Sequence, residues 1–272
     1  MTYEEAKKHK LVAPYVIFKI PVELTKTEKD RLTKINNIYN YSQFELLGYI
    51  SPGEMFTESQ KVMADSSLSS QDKAPAFKFM AAVRNRKTLL HGAIGKRSVA
   101  IKVIQHLSSG PTSNKKRFMT FSGDISSAID LANDVNTALV KNRVKVAAYH
   151  SKITKSKRAK LLDEFKTTKK ITGLSAVIAG GTGLDIPDLS YIIINALNSK
   201  SLAMIQRLGR VGRFEEGKTA YVVIPYIKGS QEEKWTENSL KAFENVVEVE
   251  SINEIFDEVS KREKEKKQKS SK

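Results

Sequence analysis

Two arginines three residues apart, Arg210 and Arg213, are the side chains in this sequence with the clearest potential for chemistry. They end the segment Gln-Arg-Leu-Gly-Arg-Val-Gly-Arg, which begins at Gln206 after a predicted helix. The glycines allow the backbone to turn tightly, so that both guanidinium groups can approach one anion. Because a guanidinium is always charged and binds bidentately, it suits a phosphoryl group that gains charge in a transition state. The alternative for the bare pattern is an arginine-rich surface turn.

Two other polar segments could contribute to a site. The segment Thr-Gly-Leu-Asp-Ile-Pro begins at Thr182, and its aspartate, Asp185, is either a functional carboxylate or a residue that forms the turn before the Ile-Pro pair. His150 and Ser151 directly follow a predicted strand. A structural histidine with satisfied hydrogen bonds is an equal alternative for His150.

The elements that must position these residues alternate between strand and helix from Arg117 onward. Predicted strands are Phe118–Phe121, Val144–Tyr149, Lys170–Leu174, Leu189–Asn195 and Thr219–Pro225. Predicted helices are Ser126–Val140 with apolar Ile129, Ala132, Val135 and Leu139, one capped by Thr154 with Leu161, Leu162 and Phe165 buried, and one from Ser199. Near-continuous apolar strands separated by helices predict an α/β fold, a parallel sheet with helices on both faces. Such proteins bind ligands at the carboxyl edge of the sheet.

The first hundred residues follow a different, mostly helical pattern. Val16–Val22 has Pro21 close to its end and is predicted to be an edge strand. Thr25 and Glu28 form a capping box for a helix that extends through Tyr39.

Turn-forming residues then predict a flexible loop near residues 51–74, before a helix over Ala76–Leu107 that is interrupted near Gly92 and Gly95. Three parts are thus predicted. They are residues 1–114 as an entry strand with a helical linker or insert, 115–226 as the α/β domain, and 227–272 as a C-terminal helix with a basic tail.

Composition narrows the class of protein. The formal net charge of +16 favours a polyanionic partner such as nucleic acid or a lipid surface, and residues 141–170 alone hold eleven basic and two acidic side chains. For any one of these lysines, a solubilising role is an equal alternative. The four histidines are far apart and cysteine is absent, which makes a metal centre improbable. Without a signal sequence or a membrane-spanning stretch, a cytoplasmic protein without a membrane partner is expected.

Four segments resemble superfamily 2 helicases in the order of that family. The arginine segment resembles motif VI, Thr182–Pro187 resembles motif V, Phe118–Ser122 resembles motif IV, and Tyr149-His150-Ser151 with the helix to Phe165 resembles the motif between them. The opening, Leu11–Tyr15, is similar to the junction after the first lobe in XPB-like and phage UvsW-like DNA helicases.

The resemblance implies a RecA-like helicase C-terminal lobe that completes an ATP site. Arg210 and Arg213 would be arginine fingers that reach the γ-phosphate of ATP bound with Mg²⁺ against another lobe. Gln206 would join the nucleotide to the lobe interface, and Gly183 and Asp185 would lie next to the ribose.

The resemblance also implies contacts to one nucleic-acid strand. Ser122, His150, Ser151 and Thr182 occupy positions where the family contacts the sugar-phosphate backbone, and such contacts carry no sequence information. Thr182 departs from the glutamate of many relatives, which puts the nucleotide-side coupling at this position in doubt.

The sequence lacks the other half of an ATP site. Gly95-Lys96 is followed by Arg97 and fails the spacing of a phosphate loop, so it is interpreted as a helix break. Asp257-Glu258 lies among apolar residues at helical spacing and is interpreted as part of an amphipathic helix. The Mg²⁺ ligands are therefore expected on a first lobe, on another chain or in a missing N-terminal part.

These observations predict the second motor lobe of a helicase or translocase, inactive as an isolated chain. DNA is favoured over RNA because the junction resembles the repair and recombination branch. The main alternative is a non-catalytic module that binds nucleic acid or a partner, and a structural interaction protein is a third, less favoured alternative.

Overall fold

The structure is a computed structural model that describes residues 14–48, 50–109, 117–168, 170–177, 189–197, 219–241 and 243–270. The chain divides into two compact units. The sheet unit comprises residues 1–23 and 94–272, and the helical unit comprises residues 24–93.

The described strands and helices account for most of both units. The strands are β1 Tyr15–Val22, β2 Arg117–Ser122, β3 Val146–Tyr149, β4 Gly173–Val177, β5 Leu189–Ile194, β6 Ala220–Ile227 and β7 Val246–Glu248. The helices are α1 Lys26–Leu47, α2 Met55–Ala64, α3 Ser70–His91, α4 Ile94–Ser108, α5 Ile125–Ala138, α6 Lys155–Lys166, α7 Gln231–Leu240 and α8 Ile252–Ser270. No helix in the described ranges is both long and apolar enough to cross a membrane.

The strands form one parallel sheet with the order β3-β4-β2-β5-β6-β1-β7. Successive residues of a strand face opposite sides, so Phe18 enters one apolar cluster and Ile17 the other. Helices α4, α5 and α8 cover the first side, and α6 and α7 cover the second. The predicted α/β class, a parallel sheet with helices on both faces, is confirmed.

The prediction that residues 16–22 form an edge strand is wrong. Strand β1 lies between β6 and β7, and all eight of its residues pair with β6. Pro21 is tolerated because β7 pairs only with Ile17–Lys19 and does not reach the proline. The sheet thus draws β1 and β7 from outside the predicted 115–226 domain, and β7 was not predicted at all.

The helical unit begins as predicted and then departs from prediction. Thr25 Oγ1 accepts from Glu28 N at 3.3 Å, and Glu28 Oε2 accepts from Thr25 N at 2.9 Å, which confirms the capping box. Helix α1 extends beyond Tyr39 to Leu47. Its core against α2 and α3 contains Leu46, Ile50, Met55, Ala76 and Phe79.

The loop predicted near residues 51–74 is mostly helical. Helix α2 occupies Met55–Ala64, and α3 begins at Ser70 behind a second capping box formed by Ser69 and Asp72. Ser69 lies at the start of α3, where its Oγ accepts from the free backbone amide of Asp72 at 3.3 Å, and Ser59 lies buried inside α2. The amphipathic pattern of α2 also buries Met55, which favours the helix.

The other helices and strands begin and end within a few residues of their predicted positions. The chain ends α3 at His91 and begins α4 at Ile94, so Gly95-Lys96 lies inside a helix just after the break rather than at it. In α5, Ile129 is 36% exposed, whereas Leu131 takes a core position, which corrects one predicted apolar contact. The predicted basic tail is helical through Ser270, and Asp257-Glu258 lies in this amphipathic helix, as expected.

Candidate functional site

Three of the residues predicted to contact a nucleic-acid strand lie at the carboxyl edge of the sheet. All strands are parallel, so the ends of β2, β3 and β5 share one edge. Ser122 is the last residue of β2, and His150 and Ser151 directly follow β3. Asn195 extends β5 at the same edge, because its backbone N donates to Phe121 O at 2.9 Å.

Ser122 lies at the entrance to helix α5. Its side chain is buried, with the residue only 2% exposed. Asp124 caps the helix, since its Oδ1 accepts from Ser127 N at 2.8 Å and its Oδ2 accepts from Ser127 Oγ at 2.9 Å. The capping carboxylate already occupies one anion-attracting position at this helix start. The buried Ser122 hydroxyl is therefore poorly placed to contact a nucleic-acid strand directly.

His150 and Ser151 form an accessible turn between β3 and α6. His150 is partly exposed, and its Nδ1 is buried without a hydrogen-bond partner. Ser151 is exposed, and Ile153 N donates to His150 O at 3.4 Å to close the turn. Helix α6 then begins behind Thr154, whose Oγ1 accepts from Lys157 N at 3.2 Å. The turn thus offers the exposed Ser151 hydroxyl and the partly exposed His150 ring to a ligand, whereas His150 Nδ1 itself is not accessible.

Basic residues flank this turn. Exposed cations at the start of α6 and in the turn are Lys152, Lys155, Lys157 and Lys160. In the described part of the chain, none of the four takes part in an ion pair. Unpaired exposed cations beside a polar turn produce a positive potential that attracts phosphates.

A buried ion pair between Lys96 and Glu232 supports the same edge. Their side chains are 0% and 1% exposed, and Lys96 Nζ contacts Glu232 Oε1 directly. Lys96 Nζ also donates to Asn195 O at 2.8 Å, and Glu232 Oε2 accepts from Ile227 N at 3.1 Å. Burial lowers the pKa of Lys96 and raises the pKa of Glu232, and their mutual attraction opposes both shifts. The pair joins α4 and α7 to the ends of β5 and β6.

Sequence reasoning missed this pair. As part of Gly95-Lys96, this lysine is expected only to mark a helix break. A usable signal existed, because Lys96 precedes Ala100, Val103 and Leu107 at helical spacing and all three are buried. A lysine on the apolar side of a helix indicates a buried partner, although the sequence does not identify that partner.

The other predicted site residues lie outside the described residues. These are Thr182, Gly183, Asp185, Gln206, Arg210 and Arg213. The described residues that precede the two segments are Val177, which ends β4, and Leu197, which follows β5, and both lie at the carboxyl edge. In the described ranges, no group of three or more histidine or acidic side chains could hold a metal ion.

Comparison with known proteins agrees with this geometry. Residues 95–215 match the family model of the helicase conserved C-terminal domain. The ATP-dependent helicase wrn-1 of Caenorhabditis elegans is 35% identical over 83 residues, which cover 30% of this chain and 8% of that protein. The mitochondrial ATP-dependent RNA helicase cyt-19 of Neurospora crassa is 30% identical over 79 residues, which cover 29% of this chain and 12% of that protein. The chain thus matches only a small part of these relatives.

Solved structures share the fold. The Hef helicase domain of Pyrococcus furiosus has a TM-score of 0.61 and 15% identity, covering 85% of this chain and 59% of that one. The SWI2/SNF2 ATPase core of Sulfolobus solfataricus has a TM-score of 0.56 and 13% identity, covering 85% and 44%. These comparisons do not support the expected closeness to XPB-like and UvsW-like helicases. The family match over residues 95–215 and the shared fold support a RecA-like, C-terminal helicase lobe in this part of the chain.

Proposed function

We propose that the chain is the second motor lobe of an ATP-dependent nucleic-acid helicase or translocase. The observation that carries this proposal is the carboxyl edge, where Ser122, His150 and Ser151 lie at strand ends within the matched residues 95–215. The same matched range contains Arg210 and Arg213. One domain thus combines strand-contacting positions with two arginines suited to a phosphoryl group.

The nucleotide side of the proposal rests on five residues, which belong to the two chain segments that follow β4 and β5 in sequence. Arg210 and Arg213 would stabilise charge on the γ-phosphate, and Gln206 would link the nucleotide to the lobe interface. Gly183 and Asp185 would contact the ribose. ATP with Mg²⁺ supplies the phosphoanhydride bond that is hydrolysed, and the Mg²⁺ ligands would come from the first lobe.

The strand side of the proposal uses the accessible turn after β3. The Ser151 hydroxyl and the partly exposed ring of His150 would contact phosphate oxygens, while Thr182 and the segment that follows Ser122 would contact the same nucleic-acid strand. The unpaired lysines around α6 would add affinity without sequence preference. Such binding weakens steeply as the salt concentration rises.

The required partner is a first helicase lobe that carries a phosphate loop and an acidic Mg²⁺ motif. Neither motif is present in these 272 residues, so the isolated chain would bind nucleic acid without hydrolysing ATP. Closure of the two lobes around ATP, and reopening after hydrolysis, would move the pair along the strand.

DNA is the proposed strand. The SWI2/SNF2 neighbour was solved in complex with dsDNA, which supports this choice. The relative cyt-19 is named an RNA helicase, so the binding of DNA and of RNA must be compared directly. A role in repair or recombination would follow only if DNA is bound and a DNA-specific first lobe is found.

The test of the proposed function uses the purified chain and labelled DNA and RNA strands. The expected result is salt-dependent strand binding with no ATP hydrolysis by the chain alone, followed by nucleic-acid-stimulated hydrolysis once a first lobe is added. Robust hydrolysis by the chain alone, or no strand binding at low salt, would overturn the proposal. Strand binding with no stimulated hydrolysis by any first lobe would favour the alternative, a non-catalytic binding module.

A further inference from the structure

The amino edge of the sheet, at the opposite end of the strands, carries a second group of exposed cations. Strands β3 and β4 begin here, and Thr172 N donates to Lys145 O while Lys145 N donates to Thr172 Oγ1, both at 2.8 Å. These bonds hold residues 141–145 beside residues 170–172. The exposed cations of these segments are Lys141, Arg143, Lys145 and Lys170, named here the amino-edge surface.

The charges of the amino-edge surface are not neutralised locally. None of its four cations has an ion-pair partner within the part of the chain that the structure describes. The carboxyl end of helix α6, which carries a partial negative charge, lies nearby, but its free carbonyl oxygens already bind Arg117. Arg117 is buried, and its NH1 donates to Phe165 O at 2.7 Å and to Lys166 O at 2.9 Å. The exposed cations therefore remain available to an external anion.

The backbone of Arg143 adds a second observation. Arg143 has φ 55° and ψ 26°, and it is the one non-glycine residue with positive φ in the described ranges. The left-handed conformation costs a residue with a side chain about 1–2 kcal/mol, which glycine avoids. A use of the Arg143 guanidinium in binding would explain an arginine at this unfavourable backbone position.

The surface fits a nucleic-acid backbone better than a protein. A stable protein interface needs an apolar centre, but the one large exposed apolar residue described beside these cations is Val140, which is 70% exposed. Strand β3 is an edge strand, and lysines beside an edge oppose pairing with another strand. Separated cations with little apolar surface match regularly spaced phosphates.

We propose that the amino-edge surface is a second nucleic-acid contact, which binds the sugar-phosphate backbone beyond the segment held at the carboxyl edge. The inference rests on the proposed nucleic-acid role of the chain. Helix α6 connects the two edges, and its 12 residues span about 18 Å. A duplex rises about 3.4 Å per base pair, so a segment longer than about five base pairs could reach both surfaces.

The experiment measures fluorescence anisotropy of a 4-nucleotide strand, a 30-nucleotide strand and a 30-base-pair duplex at several salt concentrations. The test variant is K141Q/R143Q/K145Q/K170Q. The matched control is K26Q/R31Q/K34Q/K78Q, which also removes three lysine charges and one arginine charge from exposed positions. Circular dichroism melting establishes that both variants are folded.

The test variant should lose at least about tenfold more affinity than the control for the 30-mers, and its log-log salt slope should fall by about three. Its affinity for the 4-nucleotide strand, which is too short to reach both surfaces, should match that of the control. A larger loss of affinity for the 30-base-pair duplex than for the 30-nucleotide strand would show that the amino-edge surface contacts duplex. The reverse would show that it contacts a single strand. Equal losses in the test and control variants would overturn the inference.

Other outcomes separate the inference from the proposed function. If the wild-type chain binds no nucleic acid, both fail, whereas binding that depends on His150 and Ser151 but not on the amino edge overturns only the second contact. Equal competition by polyglutamate of matched charge would overturn the assignment to nucleic acid. Arg143→Gly provides an independent variant, because it should preserve or raise the melting temperature while it lowers affinity for the 30-mers severalfold.

Discussion

Lys96 and Glu232 lie 136 residues apart in sequence and form a fully buried ion pair at the carboxyl edge of the sheet. The pair also fixes backbone atoms, because Lys96 binds Asn195 O and Glu232 binds Ile227 N. Asn195–Leu197 directly precedes the segment that contains Gln206, Arg210 and Arg213. The ion pair therefore stabilises the strand end from which the proposed nucleotide-contacting segment departs.

Removing either partner of this pair should destabilise the protein strongly. Lys96→Met leaves Glu232 as an unpaired buried charge, and Glu232→Gln leaves Lys96 in the same position. Each change should cost about 3–5 kcal/mol of unfolding free energy. The combined K96M/E232Q variant leaves neither charge and should cost clearly less than the sum, as measured by urea denaturation of all four proteins. Additive losses would contradict an ionic coupling between the two side chains.

A weaker ion pair holds the edge strand β7 against β1. Lys19 Nζ lies 2.8 Å from Glu248 Oε2, but Glu248 is 53% exposed, so solvent screening limits the contribution of the pair to less than about 1 kcal/mol. The hydrogen bond from Lys19 lowers the pKa of Glu248. Since the folded-state pKa is depressed, this stability is present above the ordinary carboxyl pKa of about 4.3 and is lost as the pH falls through the lowered value.

The measurement for this pair is a series of urea denaturations between neutral pH and about pH 3. Glu248→Gln should lower stability slightly at neutral pH, and the difference from wild type should vanish at the acid end. Glu237→Gln, at an exposed position, is the control. A difference that grows as the pH falls would contradict the assigned direction.

The sequence predicted local features of the fold better than long-range ones. The capping box of Thr25 and Glu28 involves residues three apart, and it was correct because the residues themselves determine it. The position of β1 depends instead on pairing with β6 and with the three-residue strand β7. No local pattern around Pro21 carries that information. The interior position of β1 therefore required the structure.

The candidate site shows the same division. His150 and Ser151 were predicted because a short local segment resembles a helicase motif, and the structure places them at the carboxyl edge. Ser122 was found in the same way, but its burial depends on surrounding helices and could not be predicted. Asn195, whose buried Oδ1 has no hydrogen-bond partner, was not predicted because its environment is entirely nonlocal.

Changing the turn after β3 should weaken strand binding without unfolding the protein. His150→Ala with Ser151→Ala removes an unpartnered ring nitrogen and an exposed hydroxyl, so few internal bonds are lost. Affinity for a short strand should fall about three- to thirtyfold, as expected for the loss of one or two net hydrogen bonds. Anisotropy titration with Ser156→Ala as the exposed control tests this, and an unchanged affinity would remove the turn from the proposed strand contact.

Arg213→Ala should separate hydrolysis from strand binding. An arginine that stabilises a developing phosphoryl charge contributes about 10³–10⁵-fold to hydrolysis, whereas it contributes little to a strand held at other positions. With a first lobe present, nucleic-acid-stimulated hydrolysis should therefore be abolished while strand affinity changes less than about twofold. Arg84→Ala, at an exposed position in the helical unit, is the matched control for loss of one charge. Because the two readouts are measured on the same protein, a joint loss of hydrolysis and binding would indicate misfolding or a strand contact. Unchanged turnover in Arg213→Ala would exclude that side chain as an arginine finger.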